Sequence, residues 1–270
     1  MQWPLDIHSV DLHLHAGTER PPDMSLNEYI RLAWATGRRI LGLTDHFGRF
    51  LGQSRKPLRH YPGTLDGLHT YVREIEEARE RFPDMLILFA PEMGPEHLLS
   101  DETLSIVAEP FVDYILIETG SPLLAEKGNV CIEGMRVVAR NRDRTGIPGI
   151  TVHPLRWAVN ELSAPELAGS TDDIEELFGV DMNALADASK RYDVPIELNG
   201  ETWKRLGLRR AAWLTDRYLE FYRVLIDLGA EISPGTDQHG PAPEGEWRHG
   251  AADRLGLDTI PPFLRHWISS

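Results

Sequence analysis

The 270-residue sequence has one cysteine, Cys131. A single thiol excludes an internal disulfide framework and fits a reducing, cytoplasmic compartment. Long apolar runs are also missing: none approaches the roughly 20 residues that a membrane helix needs, so no membrane role is expected. The opening stretch MQWPLDIHSVDLHLH has neither a basic n-region nor an apolar h-region, and no secretory signal is expected there. Positive charge is scarce, with 28 Lys and Arg against 42 Asp and Glu and a net charge of −14. That balance argues against nonspecific nucleic-acid binding, which needs clustered Lys and Arg to neutralise phosphates. It does not exclude an anionic small molecule, because bound divalent ions reverse the potential inside one cleft while the surface stays acidic. No internal repeat, low-complexity tract or long Pro/Ser linker divides the chain, so one domain over residues 1–270 is expected. The stretch from Gly240 to Gly245 reads as a loop before a closing helix.

A hydrophobic content of 41% is that of a globular chain and excludes disorder as the main state. Short runs rich in Val, Ile and Leu alternate with stretches of helical period. The expected strands are Val10–Leu14, Ile40–Thr44, Leu86–Ala90, Val112–Ile117, Gly149–Val152, Val194–Leu198 and Ala230–Ser233. Helices are expected at Ser25–Gly37, Leu65–Phe82, Gly134–Arg144, Ile174–Phe178, Asn183–Tyr192 and Ala211–Leu228. Ser25 is available as an N-cap with Glu28 three residues on, and Gly146 and Gly229 sit where helices should stop. Such alternation favours an α/β fold with a parallel sheet that closes as a distorted seven-stranded, TIM-like β/α barrel. An open doubly wound sheet is the alternative.

The eleven histidines and the carboxylates carry the functional argument. His13 and His15 end the first strand; Asp45 and His46 follow the second. Glu92, Glu118 and His153 follow the third, fourth and fifth. Glu197, Asn199 and Glu201 cluster at the sixth, and Asp237 and His239 follow the seventh. In a β/α barrel, these C-terminal strand ends share one face. Any one of these histidines alone is an ordinary hydrogen-bonded side chain, but DLHLH projects His13 and His15 to one side of a strand, as two ligands of one ion require. TDQH repeats that spacing with Asp237 and His239. Imidazole and carboxylate donors suit divalent Zn, Mn or Fe, and Glu92 is placed to bridge two ions. Asp11 is expected to orient an imidazole from behind.

The segments DLHLH (11–15), LTDH (43–46), PEMG (91–94), HP (153–154), ELN (197–199) and GTDQH (235–239) together resemble the ordered motifs of the PHP family, named for polymerase and histidinol phosphatase. SLNEYIRLAWATGRRILGLTDH (25–46) is similar to its first helix and second strand. The resemblance runs from residue 10 to about residue 240. It implies a distorted seven-stranded β/α barrel with two or three divalent metal ions that hydrolyses phosphoesters. By the same resemblance His13, His15, Glu92 and Asp237 bind one ion, Glu92 and His153 help bind a second, and His46 and His239 belong to a third. Two positions depart from the pattern. The stretch AGTERPP (16–22) offers only Glu19 where a further ligand is common, and IETGS (117–121) offers Glu118 where a histidine is common.

The leading expectation is hydrolysis of a small phosphorylated substrate by a metal-activated hydroxide. Asp45, Asp237 and His239 are the candidate catalytic groups, with Asp45 a candidate acid or a partner for His46. Arg156 in HPLR and Arg49 are the candidate phosphate contacts, their guanidinium forks matching phosphate geometry. Arg49 belongs to a loop, 48–63, that also carries Arg55, Lys56, Arg59 and His60. His69 and His97 are expected to be peripheral. Hydrolysis of an amide or lactone is the alternative chemistry, and a non-catalytic metal-binding interaction module the alternative class.

Overall fold

The computed structural model describes residues 5–17, 20–53, 59–119, 130–156, 173–209, 212–240 and 249–268. Glu19, Arg55 and Lys56 lie outside them, as does most of the Gly240–Gly245 loop. The chain alternates strands and helices: β1 (Val10–His15), α1 (Leu26–Ala35), β2 (Ile40–Leu43), α2 (Phe47–Phe50), α3 (Leu65–Arg81), β3 (Leu86–Phe89), β4 (Glu92–Met93), α4 (Asp101–Val107) and β5 (Ile115–Glu118). There follow α5 (Val130–Thr145), β6 (Gly149–Val152), α6 (Ile174–Phe178), α7 (Met182–Tyr192), β7 (Ile196–Asn199), α8 (Gly200–Arg209) and α9 (Ala212–Asp227). The last elements are β8 (Ile232–Gly235), β9 (Gln238–His239), α10 (Gly250–Leu255) and α11 (Arg265–Ile268). No helix among the described residues is long and apolar enough to cross a membrane.

Among the described residues all strand pairings are parallel, in two sheets ordered β3–β2–β1–β9 and β4–β5–β6–β7–β8. The expectation of seven strands is thus corrected to nine among the described residues, because two of the expected paths are interrupted. Between β3 and β4 stands Pro91, which has no N–H for a ladder. Between β8 and β9, Asp237 adopts φ 52°, outside any strand conformation. The sheets meet at these two interruptions. Glu92 N donates to Asp45 O (3.2 Å) and Asp237 N donates to His13 O (2.7 Å).

The helices form where caps and apolar spacing coincide. Ser25 Oγ accepts from Glu28 N at the start of α1, which buries Leu26, Tyr29, Ile30 and Ala33 on one stripe. Thr64 caps α3 in the same way. Gly146 (φ 79°) and Gly229 (φ 81°) hold the left-handed positions expected of them. The fourth strand starts later than its apolar run suggests: Asp113 instead accepts from Phe89 N (2.7 Å) and pairs with Arg79 (2.6 Å). α8 was not anticipated, and it follows β7 without a loop because Asn199 Oδ1 accepts from Thr202 N (2.7 Å) as its cap.

The larger apolar cluster joins strands to helices; a smaller one, with Val10, Leu12, Ile40, Leu88, Leu116, Ile150 and Val152, joins strands of both sheets. Phe263 and Leu264 complete that cluster from the C-terminal segment. β1 changes face part-way. Val10 and Leu12 belong to the smaller cluster, yet Leu14 belongs to the larger. The register with β2 shifts between Asp11 and Leu14, and this bulge turns His13 and His15 to the same side as Val10 and Leu12. Its loose backbone groups are taken up by side chains. Tyr114 Oη donates to Leu12 O (2.7 Å), and Leu14 N donates to Thr44 Oγ1 (2.9 Å). Gly42 makes room, since a Cβ there would sit 1.8 Å from Tyr114 Oη and 2.8 Å from Leu12 O.

Candidate metal centre

Beyond the smaller apolar cluster, toward the C-terminal strand ends, the buried side chains turn polar. His13, His15, Glu92, His153 and Asp237 come together there, each no more than 2% exposed. His13 Nε2 and His15 Nε2 lie 3.1 Å apart, with Asp237 Oδ1 3.5 and 3.2 Å from them. Glu92 stands between two groups of rings. Its Oε1 is 3.5 Å from His13 Nε2 and 3.4 Å from His153 Nε2; its Oε2 is 3.4 Å from His15 Nε2 and 2.6 Å from His46 Nδ1. Asp237 Oδ2 reaches His153 Nε2 at 3.2 Å.

These spacings permit a test of whether cations fit. Donors bound at 2.0–2.1 Å around a tetrahedral ion stand about 3.4 Å from each other. The observed separations match that edge. Glu92 Oε1, Asp237 Oδ1 and His15 Nδ1 are buried without a hydrogen-bond partner. Leaving a buried acceptor unsatisfied costs about 1–3 kcal/mol, more when it is charged, so this concentration of orphaned donor atoms is what a cation would resolve. Four sets have donor atoms within 4.8 Å of one another: His13, His15, Asp237; His13, His153, Glu197; His15, His46, His239; and His46, Glu92, Glu118.

The charges of the cluster compensate each other. Burial opposes protonation of His13, but Glu197, Asp237 and Glu92 hold its pKa well above the ordinary histidine value. Burial likewise opposes charge on His46, and Glu92 raises it. Burial prevails at His15, which falls to about 4. Burial disfavours charge on Glu92 and Asp237 too, yet the imidazoles around them hold both well below the carboxylate range. Glu118 is pushed up by burial and by Glu92.

The backbone contributes at two points. His153 (φ 57°) and Asp237 (φ 52°) are non-glycine residues in the left-handed region, a conformation costing on the order of 1–3 kcal/mol each. Both carry donors into the cluster, so the strain sits where the side chains must be aimed.

The rim is more open. The side chains of His46, Glu118 and His239 are 27%, 36% and 36% exposed. His239 Nδ1 is 3.5 Å from Asp237 Oδ1, and Glu118 Oε1 is 3.8 Å from His46 Nδ1. Glu118 therefore faces the cluster. Arg156 Nη2 donates to Asp237 Oδ2 (2.6 Å) and Nη1 lies 3.3 Å from both His153 nitrogens, so it contacts the centre rather than Glu197 or Glu201. Arg49 is buried on α2, one turn beyond His46. Asp45 is fully buried behind the site, its Oδ2 accepting from Gly17 N (2.8 Å) and Tyr71 Oη (2.7 Å).

Glu197 has a larger part than its sequence position suggested. Its Oε1 accepts from His13 Nδ1 (2.6 Å), and its Oε2 from His153 N (2.8 Å) and Asn199 Nδ2 (3.0 Å). The signal was alternation: Ile196 and Leu198 face the helices, which turns Glu197 and Asn199 inward. Asp11 does not orient an imidazole ring. It accepts from Thr236 N (2.9 Å) and Thr236 Oγ1 (2.8 Å) and pairs with buried Arg38 (3.2 Å). Glu201 pairs with Arg205 on its own helix. His60 bonds Arg20 O, His97 bonds Gly94 O and Gln53, and His69 is exposed, so none of the three joins the centre.

No protein-family profile matches the sequence, and no curated protein matches it. Among solved structures, the chain is similar to the histidinol phosphate phosphatase of Lactococcus lactis subsp. lactis Il1403, complexed with zinc, L-histidinol and phosphate. The TM-score is 0.52 at 13% identity, covering 94% of this chain and 95% of that one. An archaeal ribonuclease P with mature tRNA aligns at a TM-score of 0.44 and 17% identity, over 85% of this chain and 74% of that chain. The first likeness is one of fold: a mixed α/β architecture with parallel sheets, shared with a zinc-bound phosphatase.

Proposed function

We propose that this chain is a metal-dependent phosphoesterase of the PHP type, acting on a small phosphorylated substrate. The reading includes closure of the seven strand paths into one distorted barrel, a single domain, two or three divalent ions and a cytoplasmic setting. The observation that carries it is the buried set of imidazole nitrogens and orphaned carboxylate oxygens at tetrahedral-edge spacing. The donors that fit are His13, His15, Glu92, His153 and Asp237, with His46, Glu118 and His239 at the rim.

Divalent ions bound there would supply an acidified water and a positive counter-charge for phosphoryl oxygens. The rest is the work of the chain. Glu197 fixes His13 so that Nε2 faces the centre, and Asn199 steadies Glu197. Arg156 holds Asp237 and, half-buried at the rim, offers its fork to an arriving phosphate. His46 and His239 line the open side where a substrate enters. The decisive experiment reconstitutes metal-stripped protein with Zn²⁺ or Mn²⁺ and screens phosphomonoesters, phosphodiesters, amides and lactones. Metal-dependent phosphate release is expected. Turnover of carbonyl substrates alone would overturn the phosphoesterase reading, and stoichiometric metal without any turnover would point to a binding module.

A further inference from the structure

We propose that Arg20 is a positioning residue: its buried guanidinium clamps the segment after β1 to the segment after β2, and so fixes the stacked rings of His15 and His46. This rests on the metal-centre reading above and adds to it a residue that works through the backbone.

The two histidines that end β1 are aimed by different means. His13 Nδ1 is held by Glu197 at 2.6 Å. His15 has no such carboxylate, and its Nδ1 is buried without a hydrogen-bond partner. A ligating imidazole is ordinarily oriented by a bond to its second nitrogen. With that bond missing, the ring depends on the backbone that carries it and on its stacked neighbours, His46 (centroids 4.5 Å, 30° between planes) and His239 (4.1 Å, 25°).

That backbone is what Arg20 holds. The residue is only 3% exposed. Its Nη1 donates to both carbonyls that follow His15, Ala16 O (3.0 Å) and Gly17 O (2.9 Å), and its Nε donates to Met24 O (2.8 Å). Nη2 donates to Tyr61 Oη (3.2 Å) and lies 3.8 Å from Glu74 Oε2, its counter-charge. Four of the five N–H groups of the guanidinium are thus taken by oxygens of the chain itself. Arg20 is a brace and not a phosphate contact.

The clamp reaches His46 by two routes. Gly17, held through its carbonyl, donates its N–H to Asp45 Oδ2 (2.8 Å), and Asp45 immediately precedes His46. The approach there demands glycine, because a Cβ on Gly17 would stand 2.5 Å from Asp45 Oδ2 and from Tyr71 Cζ. Tyr61, held through its hydroxyl, packs on Tyr71 (centroids 5.0 Å) and Phe50 (6.4 Å). Phe50 closes α2, the turn that starts at His46. Tyr71 in turn donates to the same Asp45 Oδ2 (2.7 Å). The stretch AGTERPP, which offers no histidine, contributes this brace instead.

The test uses full-length, metal-stripped protein carrying Arg20→Lys, since an ammonium is a point charge that cannot reproduce the planar fork. Ring signals are recorded on ¹⁵N-histidine-labelled protein without metal, and Zn²⁺ affinity is measured by competition with a chromophoric chelator. At a temperature where circular dichroism shows the variant folded, the signals of His15 and His46 should shift and broaden while those of His153 and His249 stay in place. Zinc affinity should fall about 10–100-fold. Arg79→Lys is the stability control: Arg79 bonds Ile87 O (2.8 Å) and Asp113 (2.6 Å), bracing α3 against β3. It should lower the melting temperature and leave ring signals and zinc affinity unchanged. If Arg20→Lys does not fold, Tyr61→Phe, which removes only the Nη2 partner, should shift the same two signals by less. A lower melting temperature with wild-type ring signals and wild-type zinc affinity would overturn the proposal. A wild-type chain that binds no zinc would overturn the metal-centre reading alone, because the rings of the metal-free protein still report on the clamp.

Discussion

Replacing Asp11 with Asn isolates the support behind Asp237. Asp11 and Arg38 are both fully buried and 3.2 Å apart, and Asp11 receives two hydrogen bonds from Thr236, the residue that leads into the left-handed turn at Asp237. Arg38 also reaches Gln238 on the far side of that turn (3.4 Å). The pair therefore brackets a metal-facing carboxylate from below. Removing one partner of a buried ion pair strands the other charge in a dry environment and costs about 3–5 kcal/mol. For a chain of this size, at roughly 1.8 °C per kcal/mol, the melting temperature should fall by about 5–9 °C. Loss of the anchor behind Asp237 should weaken metal affinity about 10–100-fold, measured by titration calorimetry on metal-free protein. The double variant Asp11→Leu with Arg38→Met separates the two effects. It should recover much of the stability, because no stranded guanidinium remains, while metal affinity stays low because Thr236 is still unanchored. An Asp11→Asn protein that melts within about 1 °C of wild type and binds metal normally would refute this account.

Three further outcomes are expected. Glu92→Gln should reduce metal affinity by more than the about 10–100-fold that loss of a supporting partner costs, read by competition with a chromophoric chelator; unchanged affinity would remove Glu92 from the ligand set. The raised pKa values of His13 and His46 mean that the metal-free site holds protons, so metal uptake should release them and weaken as pH falls. Their stabilisation is present below about pH 6.5 and is lost as pH rises through the raised values; melts of the metal-free protein should therefore decline on the alkaline side, and zinc should flatten that decline. Gly42→Ala should destabilise by about 1–3 kcal/mol through the clash with Tyr114 Oη, and Tyr114→Phe in the same chain should relieve part of that loss; strictly additive costs would count against the packing described.

Much of the centre was legible because each donor ends an apolar run, and parallel β/α units carry strand ends to one face. On that basis His13, His15, His46, Glu92, Glu118, His153, Asp237 and His239 are expected to meet, and the structure brings them together. What stayed hidden depends on partners distant in sequence. Asp11 looks like a support for its neighbouring histidines, but its partners are Thr236 and Arg38. Glu197 reads as one polar residue among several until His13 is seen 2.6 Å away. The interruption at Asp237 leaves no local mark either, since its backbone N–H goes to His13 O rather than into a strand ladder of its own. Pro91 was visible in the sequence, and its missing donor is the one cue that could have foretold the division into β3 and β4.

The irregularity in β1 ties two inheritances together. One six-residue strand supplies greasy ballast at its start and two imidazoles at its end, and only the half-step between Asp11 and Leu14 lets both look the same way. Deleting a single residue from that stretch would not dim the centre by degrees; it would send both rings into the layer occupied by helices and drive Leu14 into the cavity. Drift in this segment is therefore confined to exchanges of side chain, because any change in its count would dismantle pocket and core at one stroke.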